Sequence, residues 1–399
     1  MKQYDTIIIG AGIVGACVAH ELTQQNQKVL LLDSKGIAKG GSGSAGAFVS
    51  PKIGKASPLH SLTNEAFSYA RDFYLNYTPQ YFVQTGVLRL AKDEIDSQKF
   101  DVYEKANQNE YEKYSARKLD SLGINSSLNN FYFPTSGICE AIEVCESLLK
   151  NIEVVVCEVT ALSKKDGLWK VGEFEAKNIV LATGYKNDLI DIFQNFSESE
   201  ALAPNKARLR PSIPSVTKTL IDIKYMGIHG VWGTRGDFKT SLKLEISMHQ
   251  SLSISANKNG IIKLGATHQR AVKEPITKCQ DEQSLILKKE ASKLIDVSDF
   301  VLKESFCGMR SSSKDSFPLV GKVVDVEYML KHYPLLKKGQ KKPLKYIENL
   351  YVCNGVGGRG FVFAPLLAKI LVELMVENEA VDKRVNPDRL FFKWCRKLI

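Results

Sequence analysis

The sequence lacks the paired C-x-x-C cysteines that zinc sites and thioredoxin-type redox centres use. It contains eight cysteines, among them Cys279 and Cys307, and no two of them are three positions apart. Several lie in apolar segments, where a cysteine packs as a small hydrophobic side chain. We therefore expect no metal centre, no disulfide framework and a reducing, cytoplasmic environment.

Long apolar runs are absent as well. A helix that crosses a membrane needs about 18 to 20 apolar residues, and no segment approaches that length. The apolar residues 7–19 are interrupted by Gly10, Gly12 and Gly15, which favours a strand, a turn and a helix over a signal peptide. The sequence therefore predicts a protein without a membrane segment.

These glycines give the pattern G-x-G-x-x-G directly after a β-branched segment, residues 4–9. In this context the pattern is typical of dinucleotide binding. Gly10 permits a tight turn, Gly12 lets a pyrophosphate approach the backbone, and Gly15 lets the helix pack closely. Asp33 ends the next apolar segment. We expect the pyrophosphate at the helix N-terminus and ribose hydroxyls at Asp33.

Two further glycine-rich segments favour FAD over a nicotinamide cofactor. A Gly/Ser loop, residues 40–46, follows the second predicted strand, and a glycine turn lies between a strand and a helix near the C-terminus. A second helix N-terminus stabilises negative charge on a reduced flavin. A flexible surface loop is the alternative for residues 40–46. The predicted FAD contacts beyond the first loop are Ser42, Gly43, Ser44, Gly46, Thr183, Gly184, Gly357, Gly358, Arg359 and Gly360.

The pattern of predicted strands and helices changes along the chain. Strand–helix–strand patterns at both ends indicate a doubly wound fold, whereas short alternating segments between residues 204 and 306 are typical of an antiparallel sheet. We predict an α/β plus α+β protein: a discontinuous, Rossmann-like FAD-binding domain and an antiparallel-sheet substrate domain. The first comprises residues 1–85, 138–203 and 304–399, and the second residues 86–137 and 204–303.

Together the glycine fingerprint, Ala182-Thr183-Gly184 and the C-terminal turn resemble the D-amino-acid-oxidase-type FAD superfamily, which includes glycine and sarcosine oxidases. Residues 307–321, CGMRSSSKDSFPLVG, are similar to the G-x-R…D-x-x-P-x-[VI]-G strand of that superfamily. The arginine of that strand binds the carboxylate of the substrate, so the resemblance implies that Arg310 is the catalytic carboxylate clamp.

One branch is more similar: the FAD-dependent oxidoreductase half of the bifunctional enzyme that makes 5-methylaminomethyl-2-thiouridine at the tRNA wobble position. The similarity covers nearly the whole chain and includes residues 43–47, 64–74, 264–270, 358–366 and 386–390. The last segment, NPDRL, has no flavin role and distinguishes this branch from amino-acid oxidases. The sequence has no counterpart of the methyltransferase half, so the resemblance implies that the methylation step either comes from a separate methyltransferase partner or is absent.

The activity that the resemblance implies is the oxidative removal of the carboxymethyl group from 5-carboxymethylaminomethyl-(2-thio)uridine in tRNA. The flavin takes a hydride, and hydrolysis of the imine yields glyoxylate and 5-aminomethyl-(2-thio)uridine. A planar guanidinium holds a carboxylate through two parallel hydrogen bonds, which suits Arg310. The alternative is a structural salt bridge with Asp315. No general base stands out, and a structural role is the simpler interpretation of His268.

The net charge of +10 favours an anionic partner. Two segments rich in lysine and arginine, residues 331–345 and 383–397, are candidate contacts for tRNA phosphates, although such runs are often only solvated surface. Two other functions remain open. An oxidase of free glycine or sarcosine shares FAD and Arg310 but needs neither segment, and a flavin-stabilised, non-catalytic tRNA-binding protein needs no Arg310.

Overall fold

The computed structural model describes residues 2–186, 190–194, 217–221, 223–270 and 279–398. Its larger sheet comprises β1 (Lys2–Ile9), β2 (Val29–Asp33), β8 (Glu153–Val156), β9 (Ala161–Lys165), β10 (Leu168–Val171), β11 (Phe174–Leu181), β12 (Ile190–Gln194), β13 (Thr217–Ile221), β19 (Leu319–Val324) and β20 (Tyr346–Asn354). A second sheet comprises β5 (Val87–Leu90), β6 (Asn130–Phe133), β14 (His229–Lys239), β15 (Ser247–His249), β16 (Ser253–Ile254), β17 (Ile261–Gly265) and β18 (Val301–Ser312). A small third sheet contains β3 (Phe48–Val49), β4 (Phe82–Val83) and β7 (Gly137–Cys139).

The α-helices of the described residues are α1 (Ile13–Gln24), α2 (Pro58–Tyr77), α3 (Glu94–Ser97), α4 (Phe100–Ala106), α5 (Ala116–Ser121), α6 (Ala141–Leu148), α7 (Asp281–Ala291), α8 (Val326–His332), α9 (Gly360–Val376) and α10 (Asp388–Cys395). Not one of these described helices combines the length and the apolar composition that crossing a bilayer requires. Helices α1, α2, α6 and α9 share one large hydrophobic core on a face of the larger sheet.

Four parallel strands of the larger sheet end at the same edge. β1 lies between β2 and β11, and β20 follows β11, so that Ile9 pairs with both Leu32 and Leu181 while Leu181 pairs with Val352. Their Ile, Val and Leu composition suits strands that are covered on both faces. Since turns that follow parallel strands meet at the carboxyl ends, the glycine loop, Asp33 and the C-terminal glycine turn come together here.

Helix α9 begins earlier than its composition indicates. A proline favours the first turn of a helix, so Pro365 predicts a start at Ala364, whereas the helix starts at Gly360. Inside a helix, proline leaves the carbonyl four residues before it without an N–H donor. The buried hydroxyl of Tyr74 on α2 donates to this carbonyl, that of Phe361, at 2.9 Å. The extra turn places the N-terminus of α9 at the edge of the sheet.

Two strands lie in a different sheet from the one that the predicted domain boundaries assign. β13, from the range 204–303, pairs with β12 in the larger sheet. The part of β18 after residue 304, expected in the FAD-binding domain, pairs with β14 in the seven-stranded sheet. Local alternation predicts a strand but not its partners, which are distant in the sequence. The strand that carries Arg310 therefore belongs to the antiparallel sheet.

The expectation that the cysteines form no disulfide is wrong. Cys279, just before α7, is bonded to Cys307 on β18, with 5.5 Å between the two Cα atoms. The two residues are 28 positions apart, and the packing of α7 on the antiparallel sheet brings them together. The compartment inferred from cysteine usage loses its support with this bond.

Candidate active site

A cleft with a volume of about 570 Å³ lies at the carboxyl edge of the parallel strands and is covered by the antiparallel sheet. It is lined by backbone from the glycine segments and by side chains from both sheets. Of the predicted site residues, those that line the cleft are Gly10, Gly12, Asp33, Ser42, Ser44, Gly46, Thr183, Gly184, Arg310, Gly357, Gly358, Arg359 and Gly360. The structure thus brings together segments that are up to 350 positions apart in the sequence.

The other two predicted residues, Gly15 and Gly43, do not line the cleft. A Cβ on Gly15 would lie 1.9 Å from the carbonyl oxygen of Gly10, and one on Gly43 would lie 2.3 Å from that of Ala38. Both positions exclude a side chain because backbone packs against backbone. Their contribution is to the shape of the loops rather than to the lining of the site.

The first glycine loop is fixed by its own backbone and by Asp33. Gly10 has a φ of +114°, and a Cβ there would lie 2.3 Å from the carbonyl oxygen of Ala182. One Asp33 carboxylate oxygen accepts the N–H of Ala11 at 2.9 Å, and the other accepts two N–H groups of the following turn. Ser42 accepts the N–H of Ile13, the first residue of α1, at 2.9 Å. This hydroxyl satisfies one of the N–H groups that a helix start leaves unpaired.

The Gly/Ser loop is held in place rather than free, which removes the alternative of a flexible surface loop. The Ser44 hydroxyl donates to the carbonyl of Cys307 on β18 at 2.6 Å. The buried guanidinium of Arg235 on β14 donates to the carbonyl of Ala45 and pairs with Asp237 at 2.8 Å. The loop therefore bridges the two sheets beside the strand that carries Arg310.

Asn354 connects three of the segments and was not singled out from the sequence. It is buried at the end of β20, where its amide oxygen accepts the Ser311 hydroxyl at 2.6 Å and the N–H of Gly355 at 2.7 Å. Its amide nitrogen donates to the carbonyl of Gly184 at 2.9 Å. The sequence did contain a signal for Asn354: a polar residue ends an otherwise apolar strand. A buried amide requires several hydrogen-bond partners, so such a residue can connect neighbouring segments.

Arg310 extends from β18 into the cleft. A Cβ on Gly233 of the neighbouring strand would lie 2.3 Å from a guanidinium nitrogen of Arg310, and one on Gly358 would lie 3.6 Å from its Cδ. One Arg310 nitrogen donates to the carbonyl of Thr267 at 3.1 Å. The missing side chain at Gly233 therefore makes the space that the guanidinium occupies, and Gly358 places the C-terminal glycine turn in ordinary contact distance of Arg310.

Arg310 has no carboxylate partner among the described residues. Asp315, the alternative partner from the sequence, pairs instead with Arg389 at 2.8 Å. Burial lowers the pKa of Arg310, but an arginine remains charged at neutral pH. Burial, followed by the charge of Arg310, also lowers the pKa of His268, so this imidazole in the cleft is neutral. A partly buried cation without a counter-ion is suited to bind an anion.

Besides Arg310 and His268, the basic side chains of the described residues that line the cleft are Lys52, Arg89, His249 and Arg359. Arg89 lies on β5 and His249 on β15, strands whose alternation gave no sign of a functional role. Burial is the main cause that lowers the pKa of Lys52, and the nearby charges of Arg359 and Arg89 add to it. Only Arg359 of these four was predicted, as a cofactor contact.

Glycine turns at the ends of parallel strands, two helix N-termini and a covering antiparallel sheet with an arginine in the cleft define the class of FAD-dependent oxidoreductases. A sequence profile of the family described as "FAD dependent oxidoreductase" (DAO) matches residues 5–374, and the chain belongs to this family. Its cofactor is FAD. The cleft fits that group because backbone N–H groups and Asp33 line one part of it and Arg310 lies in another. The predicted family, fold class and cofactor are confirmed.

The curated relatives carry the name "tRNA 5-methylaminomethyl-2-thiouridine biosynthesis bifunctional protein MnmC". The protein from Shewanella amazonensis is 25% identical over 438 residues, which cover 100% of this chain and 60% of that protein. The protein from Legionella pneumophila (strain Corby) is 26% identical over 411 residues, which cover 97% of this chain and 57% of that protein. The chain thus spans about 60% of the length of these relatives.

Solved structures share the fold at lower identity. Glycine oxidase from Geobacillus kaustophilus superposes with a TM-score of 0.71 at 16% identity, covering 96% of each chain. L-proline dehydrogenase from P. horikoshii superposes with a TM-score of 0.71 at 15% identity, covering 97% of this chain and 98% of that one. Identities this low show the fold and leave the substrate to be argued from the site.

Proposed function

We propose that the protein removes the carboxymethyl group from 5-carboxymethylaminomethyl-(2-thio)uridine at the tRNA wobble position, leaving 5-aminomethyl-(2-thio)uridine. The observation that carries the proposal is the partly buried guanidinium of Arg310, which lacks a carboxylate partner among the described residues and lies in the same cleft as the glycine turns. The name of the curated relatives, which align with nearly the whole chain, supports tRNA as the carrier of the substrate.

In this proposal Arg310 orients the substrate. One of its nitrogens donates to Thr267, which fixes the plane of the guanidinium and leaves its other N–H groups for two parallel hydrogen bonds to the carboxylate. FAD, held by the glycine loops, would supply the acceptor for a hydride from the carbon between carboxylate and nitrogen. The amine must be unprotonated for that step, and the neutral ring of His268 offers a proton acceptor near Arg310.

A basic surface near the site supports a polyanionic substrate. The two lysine- and arginine-rich segments meet, because Arg396 lies beside Gly339, with 3.5 Å between the Arg396 Cδ and a Cβ built on the glycine. Lys397 lies against Lys314, and this contact lowers the pKa of Lys397. Paired cations at an exposed surface favour phosphate binding.

The NPDRL segment holds this basic surface next to the strand of Arg310. Arg389 pairs with Asp315 and donates to the carbonyl of Phe317, so the tail is anchored just after the end of β18. Lys314 follows Arg310 by four residues, a distance of at most about 14 Å along an extended chain. RNA phosphates at Lys314 are therefore within two or three nucleotides of the proposed carboxylate clamp.

The test is nucleoside analysis of tRNA that carries the carboxymethylaminomethyl group, before and after incubation with the purified flavoprotein. We expect this nucleoside to disappear and 5-aminomethyl-(2-thio)uridine and glyoxylate to form in equal amounts. Faster turnover of free glycine or sarcosine than of tRNA contradicts the proposal and favours an amino-acid oxidase. Bound flavin that substrate tRNA does not reduce anaerobically favours a non-catalytic binding protein. The cytoplasmic location and the separate methyltransferase remain predictions.

A further inference from the structure

We infer that Lys52, Arg89 and Arg359 form a second anion site in the cleft, which binds a phosphodiester group next to the modified nucleotide. The inference rests on the proposed function for the identity of the ligand. The site itself is defined by the three side chains, which come from the loop after β3, from β5 and from the start of α9.

The backbone around the three cations fixes where they lie. Arg359 donates to the carbonyl of Ser50 at 3.3 Å. Two residues further on, the backbone of Lys52 is held by Asn64, whose amide oxygen accepts the N–H of Lys52 at 2.7 Å. Arg89 donates to the carbonyl of Leu90 at 2.7 Å. All three side chains line the cleft, and they lie close enough that, besides burial, the charge of Arg89 lowers the pKa of both Lys52 and Arg359. We call these three side chains the cationic wall.

The charge of this wall is not balanced by the described residues. The only ion pair that it makes there joins Arg89 to Asp96 at 3.8 Å, which leaves an excess of two positive charges. Burial, with a contribution from Arg89, lowers the pKa of Arg359 to about 10, so Arg359 is charged at neutral pH. Keeping cations close together in a partly buried cleft is unfavourable unless an anion joins them.

The side chain of His249, which lies beside the three cations, is neutral. Burial, followed by the charges of Arg359 and Arg89, lowers the pKa of His249 to about 3. The ring of His249 lies 4.5 Å from that of Phe48, its Nδ1 is 2.6 Å from the Ser253 hydroxyl, and its Nε2 is 3.4 Å from that of Ser50. Asp33, the one carboxylate among the described residues of the cleft lining, is already bonded to the first glycine loop. Apart from Asp96, which pairs with Arg89, no carboxylate of the described residues competes for the three cations.

The wall is distinct from the other two places in the cleft that attract anions. The pyrophosphate of FAD is expected at the first glycine loop and the start of α1. Arg310 is the proposed partner of the carboxylate, and its pKa is shifted by burial alone rather than by Arg89 or Arg359. An RNA substrate brings a third kind of anion, the phosphodiester, whereas free glycine or sarcosine brings none. The wall therefore fits a nucleotide better than a free amino acid.

The test uses the flavoprotein and two probes, inorganic phosphate and acetate, with binding measured as a shift in flavin absorbance. Lys52→Gln and Arg89→Gln are each expected to weaken phosphate binding about tenfold or more and to leave acetate binding unchanged. Arg310→Lys is expected to do the reverse. Lys55→Gln is the matched control, because Lys55 is exposed and three positions from Lys52. Lys52→Gln is expected to fold normally, because the Lys52 side chain makes no hydrogen bond within the described residues.

Two outcomes overturn the anion site. One is a loss of phosphate binding in Arg310→Lys alone. The other is phosphate binding that survives in Lys52→Gln and Arg89→Gln while flavin content or the flavin reduction potential falls, which assigns the wall to the cofactor. If neither tRNA nor any nucleotide is turned over but the phosphate results hold, the site stands and the proposed function fails.

The source of the phosphate is separated by a second measurement. The KM of the modified nucleoside is compared with that of the same nucleotide carrying both flanking phosphates. We expect the nucleotide to have a KM about tenfold or more lower, and this advantage to disappear in Lys52→Gln. Equal KM values, together with binding of inorganic phosphate, overturn the assignment to the substrate and leave a site for free phosphate only.

Discussion

The two walls of the cleft are built by different means. On the side of the larger sheet, the lining is mostly backbone: glycine turns after parallel strands, with Asp33 and Ser42 bonded to the main chain of the same loops. On the side of the antiparallel sheet, the lining is made by long cationic side chains, Arg89 and Arg310, and by the neutral rings of His249 and His268. The first wall suits a cofactor shared by a whole family, and the second is where the substrate binds under the proposed function.

This comparison predicts that the wall made of glycine turns, the backbone wall, no longer binds FAD when a side chain is added to it. The largest effect is expected from Gly10→Ala, because the φ of +114° disfavours alanine and the new Cβ would lie 2.3 Å from the Ala182 carbonyl oxygen. We expect loss of bound FAD together with destabilisation by about 3 kcal/mol or more. Flavin absorbance per polypeptide and a thermal unfolding curve measure both. Gly40→Ala is the folding control, since no atom lies within 4 Å of its Cβ; FAD retained by Gly10→Ala contradicts the backbone role.

The backbone wall was also the part that the sequence predicted well. Glycine spacing reports backbone shape directly, so the spacing alone places Gly10, Gly12 and Asp33 on neighbouring strand ends. On the side of the antiparallel sheet, Arg310 was predicted only because the resemblance to a family marked it. Arg89 and His249 lie on short strands in which one polar side chain among apolar ones is ordinary, and their meeting depends on contacts between β5 and β15 that no local pattern encodes.

The wall on the side of the antiparallel sheet is expected to depend on a disulfide bond rather than on glycine turns. Cys279→Ser removes the bond to Cys307 on the strand of Arg310. For a closed loop of 28 residues, the chain-entropy estimate is a loss of about 3 to 4 kcal/mol of stability. Unfolding in denaturant with and without dithiothreitol measures it: the reductant should destabilise the natural protein and leave Cys279→Ser unaffected. Thiol titration of the denatured, unreduced protein should find six free cysteines; eight would remove the cross-link from the fold.

Arg310→Lys is expected to have a smaller effect, and it tests whether substrate turnover and FAD binding depend on different walls of the cleft. Arg310→Lys keeps the charge but loses the planar pair of donors, so turnover of modified tRNA should fall about ten- to a hundredfold while FAD stays bound. Steady-state kinetics and flavin content are measured on the same preparation. Lys314→Gln, at the exposed basic surface, is the contrasting variant, expected to raise the KM for tRNA and to flatten its salt dependence. A loss of FAD in Arg310→Lys would show that the two walls are not separable.

The smallest effect concerns the hydrogen bond between α2 and the first turn of α9, the helix that begins at the backbone wall. Tyr74→Phe removes the hydroxyl that bonds to the Phe361 carbonyl, which Pro365 leaves without an N–H donor in α9. A buried acceptor left unpaired should destabilise the protein by about 1 to 3 kcal/mol, measured by denaturant unfolding. Pro365→Ala supplies the missing N–H, so in that background Tyr74→Phe should have a clearly smaller effect. Equal effects of Tyr74→Phe in both backgrounds would mean that the hydroxyl acts through packing of α2 rather than by completing the start of α9, and the N-terminus of that helix would then need another explanation for its position at the cleft.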